Sequence, residues 1–141
     1  MNAKEIDYYE RKGKFIVDYL PKEVSDEKKA YVRNLEELIL IEGQVFEEKN
    51  KIRRIILKLL SYFNFDVYSD RLERINLKEP RDLLNYMEDD RNKLGIHLER
   101  ERCFIELDLE RLSFMVYNPS SQVKDILLPL VRAEGLFYRK A

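Results

Sequence analysis

Hydrophobic residues between positions 26 and 63 recur at helical spacing. Two rows share this spacing: Leu38, Val45, Ile52 and Leu59 are seven residues apart, and Leu35, Ile56 and Phe63 lie in the second row. Two such rows are typical of a helix that packs along its length on another helix. The pattern predicts helix from 26 to 63, and Gly43 leaves open whether this is one long helix or two.

The spacing of the hydrophobic residues changes to two after Gly95. One side of the new alternation is apolar and consists of Ile96, Leu98, Ile105, Leu107, Phe114 and Val116. A period of two is that of a strand with one buried face. We therefore expect an antiparallel hairpin over about 96–117, with a turn near 108–111 and a register that the sequence does not fix.

Two further elements are expected before the hairpin. Asn2 is a suitable cap for a first helix, which the helical spacing of the apolar residues extends to Pro21. Residues 62–70 are turn-prone and are expected to form a connection, whereas 71–78 fit either a short strand or a helical turn.

Two helices are expected around the hairpin. Pro80 suits the first turn of a helix that reaches about Asn92. A last helix follows the turn at 118–121 and contains Pro129, which should kink it. Gly135 is expected to end that helix and to leave 136–138 as an apolar tail.

These elements predict an α+β protein with a single domain over residues 1–141. Its N-terminal half is expected to be helical, with a long amphipathic helix that packs on a small antiparallel sheet, and a C-terminal helix closes the fold. No internal repeat or flexible linker is visible in the sequence. A hairpin alone is marginally stable, so a helix must cover one of its faces.

The composition excludes several classes of protein. The chain is 45% hydrophobic and has a net charge of −1, so it is not expected to be disordered. Its longest apolar runs are far shorter than the roughly 20 residues of a membrane-spanning helix, and no signal peptide is visible. We expect a cytoplasmic protein without a membrane association. The single cysteine, Cys103, is consistent with a reducing compartment.

Acidic and basic residues are evenly mixed along the sequence, apart from one basic cluster and one acidic segment. The basic cluster at 49–54 directly follows Glu47 and Glu48, so it does not form the concentrated basic surface of a nucleic-acid-binding protein. The segment 64–92 has eight acidic and five basic residues. Nucleic acid is therefore disfavoured as a partner, and a basic protein surface is favoured.

Catalytic chemistry has weak support in the sequence. His97 is the only histidine, and Cys103 could meet it in space but lacks a recognisable oxyanion hole or orienting group. Glu106 and Asp108 share one face of a strand, without the lysine that paired nuclease acids usually have nearby. Phosphate-binding glycine loops and CxxC motifs are absent. We expect neither an enzyme nor a bound metal or cofactor.

Aromatic residues instead indicate a binding surface. Nine tyrosines and seven phenylalanines stand in 141 residues, and tyrosine is enriched at interface hot spots. The expected partner-binding residues combine the aromatic connection with the acidic segment: Tyr62, Asp66, Tyr68, Asp70, Asp82, Tyr86, Glu88, Asp89 and Asp90.

The leading hypothesis is a small protein-binding protein, most concretely a bacterial immunity or antitoxin-type inhibitor. Such a protein would neutralise a basic, nucleic-acid-directed toxin by covering its surface. The alternative is a structural or oligomeric subunit that assembles through the heptad stripe of the long helix. A nucleic-acid-binding regulator that uses residues 49–54 is the third hypothesis.

Overall fold

A computed structural model describes the backbone of residues 1–39, 45–88 and 93–141, and the side chains of the same residues except 36–39 and 45. The helices are α1 (Ala3–Lys12), α2 (Asp26–Ile39), α3 (Val45–Leu60), α4 (Pro80–Glu88) and α5 (Ser121–Ala133). The strands are β1 (Lys14–Asp18), β2 (Asp66–Tyr68), β3 (Arg74–Ile75), β4 (Lys93–Leu98), β5 (Cys103–Asp108), β6 (Ser113–Tyr117) and β7 (Phe137–Lys140).

The seven strands form one antiparallel sheet in the order β3-β2-β4-β5-β6-β1-β7. The α+β class is thus confirmed. The expected hairpin is also present, but it is the centre of a larger sheet, in which β4, β5 and β6 form a meander. The turn between β5 and β6 spans residues 109–112, close to its expected position.

The prediction for the N-terminal segment was wrong beyond Lys12. Helix α1 begins after Asn2, whose side chain accepts a hydrogen bond from the Glu5 backbone as expected, but it ends at Gly13. The bulky and β-branched run that follows favours a strand, and Val17 is fully buried in it. Strand β1 pairs with β6 and β7, so these residues are part of the sheet instead of a helix.

The edges of the sheet were also missed. The expected connection at 62–70 contains β2, and 71–78 contains the two-residue strand β3, which realises the strand alternative. The expected apolar tail is instead strand β7, which pairs with β1. Each of these strands is four residues or shorter.

The segment 26–63 contains helices α2 and α3, and α3 ends at Leu60, three residues before the expected end. Its continuity around Gly43 lies outside the described residues. Helix α4 begins at Pro80 as expected and is described as far as Glu88. Helix α5 continues through Pro129 and ends before Gly135, which has a positive φ of 72°.

One face of the sheet, named the core face, packs against α3, α4 and α5. Its fully buried side chains come from alternate strand positions and from the helices, and they include Val17, Ile96, Ile105, Phe114, Ile56, Leu59, Val123 and Leu127. Arg54 of α3 donates hydrogen bonds to both carboxylate oxygens of Glu134, each over 2.8 Å, and so ties α3 to the end of α5. The stability of the fold depends mainly on this face.

Candidate functional site: a cleft beside helix α1

The opposite face of the sheet, named the α1 face, carries helix α1. Ten residues of helix extend over about 15 Å, whereas seven strands at their usual spacing extend over about 29 Å. Helix α1 makes its main contacts with β1, β5 and β6, which extend from the central strand towards the β7 edge of the sheet. A single short helix therefore leaves room for a cleft on this face, next to β4 and β2.

Helix α1 is attached to the sheet by a buried polar pair. The Tyr9 hydroxyl lies 3.1 Å from Nε2 of His97, and their ring centroids are 5.7 Å apart. Both side chains are buried, with His97 only 6% exposed. Burial lowers the pKa of His97, against the opposing effect of nearby acids such as Glu5. The neutral imidazole is therefore the form that the folded protein favours.

The floor of this face is aromatic and depends on one glycine. A Cβ atom on Gly95 would lie 2.4 Å from Cζ of Phe104, so the phenyl ring occupies the space that a side chain would need. Phe104 stacks on Tyr117 at a centroid distance of 6.0 Å and packs in one cluster with Tyr9. Gly95 thus permits a large ring to lie flat beside the cleft.

The cleft has a volume of about 450 Å³. Its lining comes from α1, from the turn between β2 and β3, and from the central strands: Ile6, Ser69, Asp70, Leu72, Lys93, Leu94, Gly95, Phe104 and Glu106. The lining is mainly apolar with a few polar side chains, which is the usual composition of a ligand pocket.

The carboxylates that line the cleft differ from the neighbouring carboxylates in their ion pairing. The Tyr117 hydroxyl donates to Oε2 of Glu106 over 3.1 Å and holds that carboxylate in place. Burial and the neighbouring Glu106 raise the pKa of Tyr117, so the hydroxyl keeps its proton. Within the part of the chain that the structure describes, neither Glu106 nor Asp70 has an ion pair.

The nearest basic and acidic neighbours are already paired. Lys93 lines the cleft, but its Nζ lies 3.8 Å from Oδ2 of Asp108, its cross-strand neighbour. Arg74 contacts Asp66 over 3.0 Å at the β2–β3 edge. Among the described residues, the lining of the cleft therefore has two carboxylates without an ion pair, and its one cation, Lys93, is paired.

Three of the nine expected partner-binding residues lie on this side of the molecule. Asp66 and Tyr68 are cross-strand neighbours of His97 and Gly95, so they share the α1 face, and Asp70 lines the cleft. Tyr68 is buried, and Asp66 is held by an arginine. Of these three, Asp70 is exposed and has no ion pair with another residue in the described ranges, as a binding residue requires.

The described members of the acidic segment, Asp82, Tyr86 and Glu88, are separated from these three by the sheet. Asp82 caps α4, where its Oδ2 accepts the backbone N–H groups of Lys78 and Glu79. Tyr86 and Glu88 are exposed on the same helix, which packs on the core face. Asp89 and Asp90 lie outside the described residues, and the seven that are described do not form one continuous patch.

Tyr62 lies apart from both groups. It is 66% exposed just after α3, and it lines a second cavity of about 530 Å³ together with Arg100 and Glu101 of the β4–β5 turn. This location is at the end of the sheet. The sequence placed Tyr62 next to Asp66, but the chain turns between them.

The basic cluster at 49–54 is engaged within the molecule. Arg53 donates to the backbone oxygen of Met87 over 2.8 Å, and Arg54 is bound to Glu134. Lys51 contacts Glu48 over 2.8 Å. These contacts reduce the positive charge that the segment can present to a phosphate backbone.

The heptad stripe is divided between the core and the surface. Ile52, Ile56 and Leu59 are buried in the core of the chain itself. Leu35 of α2 is exposed. The side chains at 36–45, which include two further members of the stripe, lie outside the described residues. An interface along the whole stripe would therefore require the core to open.

A catalytic pair of Cys103 and His97 is excluded, because their side chains lie on opposite faces of the sheet. Cys103 lies on the core face opposite Leu98, whereas His97 lies on the α1 face. Burial raises the pKa of the Cys103 thiol to about 12, so it is a poor nucleophile. The described residues contain no group of three or more His, Cys, Asp or Glu side chains arranged to hold a metal ion.

Sequence reasoning missed the residues that shape the cleft. Glu106 was recognised as one of two acids on a strand face, but its neighbours in the cleft come from distant segments. The strand period was expected to begin only after Gly95, although Gly95 is inside β4. One signal in the sequence was available: Phe104, the second residue of β5, is large and stands on the strand that pairs with the strand of Gly95. Such a pair suggests a contact between a glycine and an aromatic ring across two strands.

Comparisons with protein family models, curated proteins and solved structures found no match to this chain. Among the helices of the described segments, none combines the length and the hydrophobicity that crossing a lipid bilayer requires.

Proposed function

We propose that this is a cytoplasmic binding protein that acts by covering a basic surface of a protein partner. Its most concrete form is a bacterial immunity or antitoxin-type inhibitor of a nucleic-acid-directed toxin. The observation that carries this proposal is the cleft on the α1 face, in which Asp70 and Glu106 have no ion pair with any described residue.

The charge of the cleft favours such a partner. Proteins that act on nucleic acids present lysine and arginine side chains to the phosphates. Carboxylates at a concave, largely apolar site can take the place of those phosphates and steer the partner towards it. Exposed aromatic residues elsewhere, among them Tyr31, Tyr62 and Phe46, supply apolar contact area that an interface can use.

Binding is favoured over catalysis by the state of the candidate reactive groups. His97 is buried and already contacts the Tyr9 hydroxyl, so it is poorly placed to exchange protons with a substrate. Cys103 faces the packed interior. A binding role needs none of these groups and uses the charge and shape of the cleft alone.

Co-expression with toxins encoded beside the gene tests the proposal. We expect one such toxin to lose its toxicity and to form a complex with the purified protein. The association rate should fall as salt is added, because charge steering is screened. Asp70→Lys should weaken the complex, whereas Asp125→Lys, at an exposed position on α5, should not. Failure to bind any neighbouring toxin would contradict the proposal.

Light scattering tests the alternative of an oligomeric subunit. A monomer that persists at all concentrations is expected, since Ile52, Ile56 and Leu59 are committed to the core. A stable dimer that dissociates in Leu35→Lys would favour assembly through the stripe instead.

A further inference from the structure

We infer that the cleft on the α1 face receives one basic side chain of the partner, a lysine or an arginine. Its cationic end would lie between Asp70 and Glu106, and its methylene stem would lie against the apolar lining. That the cation belongs to a protein rests on the proposed function. The shape and charge of the cleft are the independent grounds for a cationic ligand.

The cleft combines the two features that such a side chain needs. Ile6 and Leu72, both half-buried in the lining, provide apolar contact for a hydrocarbon stem. Glu106 provides a carboxylate that is held by the Tyr117 hydroxyl through one oxygen, so its orientation is fixed before a ligand arrives. A fixed acceptor loses less conformational freedom on binding than a mobile one.

The other charged groups at the cleft do not cancel this preference. Lys93 is drawn towards Asp108, which also lies 3.6 Å from Nε of Arg111. The two cations therefore share one carboxylate outside the lining, while Asp70 and Glu106 remain without a cation among the described residues. An organic cation that enters the cleft thus meets two carboxylates that have no ion pair with any residue of the described segments.

Titration with small cations tests the cleft without knowledge of the partner. Amide signals of the ¹⁵N-labelled protein would be followed during addition of n-butylammonium or ethylguanidinium chloride, with n-butanol as the neutral control. We expect shifts confined to residues 69–72, 93–95 and 104–106 and a dissociation constant in the millimolar range. Shifts that n-butanol reproduces equally, or no shifts at these residues, would overturn the inference.

Two variants test the role of the carboxylates. Glu106→Gln and Asp70→Asn keep the shape of each side chain and should each weaken cation binding about fivefold, as the loss of one partly exposed ion pair does. Asp125→Asn is the matched control and should bind as the parent protein does. Because Asp70 is exposed, its variant remains folded even if the Glu106 variant is destabilised. Unchanged affinity in Asp70→Asn and in folded Glu106→Gln would overturn the inference.

The complex with a partner separates this inference from the proposed function. Each exposed lysine and arginine of the partner would be changed to methionine in the parent and Glu106→Gln backgrounds. One partner residue should lose its effect on affinity in the variant background. A tight complex without any such coupling contradicts the cleft inference and leaves the proposed function standing. If no protein partner is found and spermidine binds with micromolar affinity, the cleft is a site for free cations. That result would overturn the inference of a partner side chain and also the proposed function.

Discussion

Gly95→Ala probes the contact that shapes the floor of the cleft. The added Cβ would lie 2.4 Å from Cζ and 2.8 Å from Cε2 of Phe104. Ordinary contact between carbon atoms is about 3.5–4.0 Å, so the ring or the strand must move by about 1 Å. The ring is 2% exposed and packs against Tyr9 and Tyr117, which leaves little room for it to rotate away.

Two opposing effects determine the size of the change. Overpacking of a well-packed site typically costs about 1–3 kcal/mol. Replacement of glycine inside a strand restores about 0.5–1 kcal/mol, because the unfolded chain loses conformational freedom. We therefore expect a net loss of about 1–2 kcal/mol in the free energy of unfolding. With an ordinary urea dependence, the unfolding midpoint should fall by about 1 M.

Urea unfolding followed by circular dichroism and tyrosine fluorescence measures this loss, since the chain has no tryptophan. Phe104→Leu supplies the decisive control, because a smaller side chain vacates the space over Gly95. In that background Gly95→Ala should be neutral or stabilising, which gives a coupling free energy of about 1–2 kcal/mol between the two positions. Equal effects of Gly95→Ala in both backgrounds would refute the assigned contact.

Three further predictions concern other contacts. Because burial lowers the pKa of His97, the imidazole binds a proton more tightly in the unfolded chain, so the free energy of unfolding should fall as the pH drops below 6.5. The thermal midpoint should therefore decline between pH 8 and pH 5, and His97→Gln should remove the part of this decline that His97 causes. Ser120 caps α5 by accepting the N–H of the residue three positions on, so Ser120→Ala should cost about 1 kcal/mol in urea unfolding and Ser121→Ala next to it much less. Arg54→Met should lower the thermal midpoint more at pH 7 than at pH 3, because the hydrogen bond from Arg54 lowers the pKa of Glu134 and the stability that this ion pair adds is lost once Glu134 is protonated. An equal loss at both pH values would contradict this role of the Arg54–Glu134 pair.

The parts of the fold that the sequence predicted correctly depend on local signals. In strands β5 and β6, apolar residues occupy every second position at Ile105, Leu107, Phe114 and Val116, and the structure buries this side of each strand. Pro80 marks the start of α4, and Gly135 marks the end of α5. In each case a few consecutive residues determine the conformation, so no knowledge of distant contacts is needed.

The strands that the sequence missed depend on distant partners. Strand β1 lies between β6 and β7, whose residues are about a hundred or more positions further along the chain. Strands β2 and β3 are three and two residues long, too short to show a period. Strands β2 and β3 form because a neighbouring strand offers backbone hydrogen-bond partners, and in β1 the same pairing acts together with a local preference for strand.

The sequence did not predict the cleft, because the cleft also depends on contacts between distant segments. Ile6, Asp70, Lys93 and Glu106 come from four separate segments, and each is unremarkable in its own surroundings. The nine expected residues were chosen because they are close in sequence, but the sheet places Asp70 and the exposed residues of α4 on opposite sides. Proximity along the chain is a poor guide to a site that is built across strands.

The distribution of polar groups over the two faces explains how the protein can present a charged cleft and remain stable. The core face is apolar and is covered by three helices, so its burial supplies most of the stabilising free energy. On the described part of the α1 face, the buried residues His97 and Asp18 each have a partner: His97 contacts Tyr9, and Asp18 contacts Arg139 over 2.8 Å. A buried polar group without a partner would be costly, and pairing removes that cost. Asp70 and Glu106, which form no ion pair within the described segments, lie instead where one short helix leaves the sheet accessible to water. Their charge is therefore available to a ligand without a large penalty to the fold, which is the condition that a preformed binding site must meet.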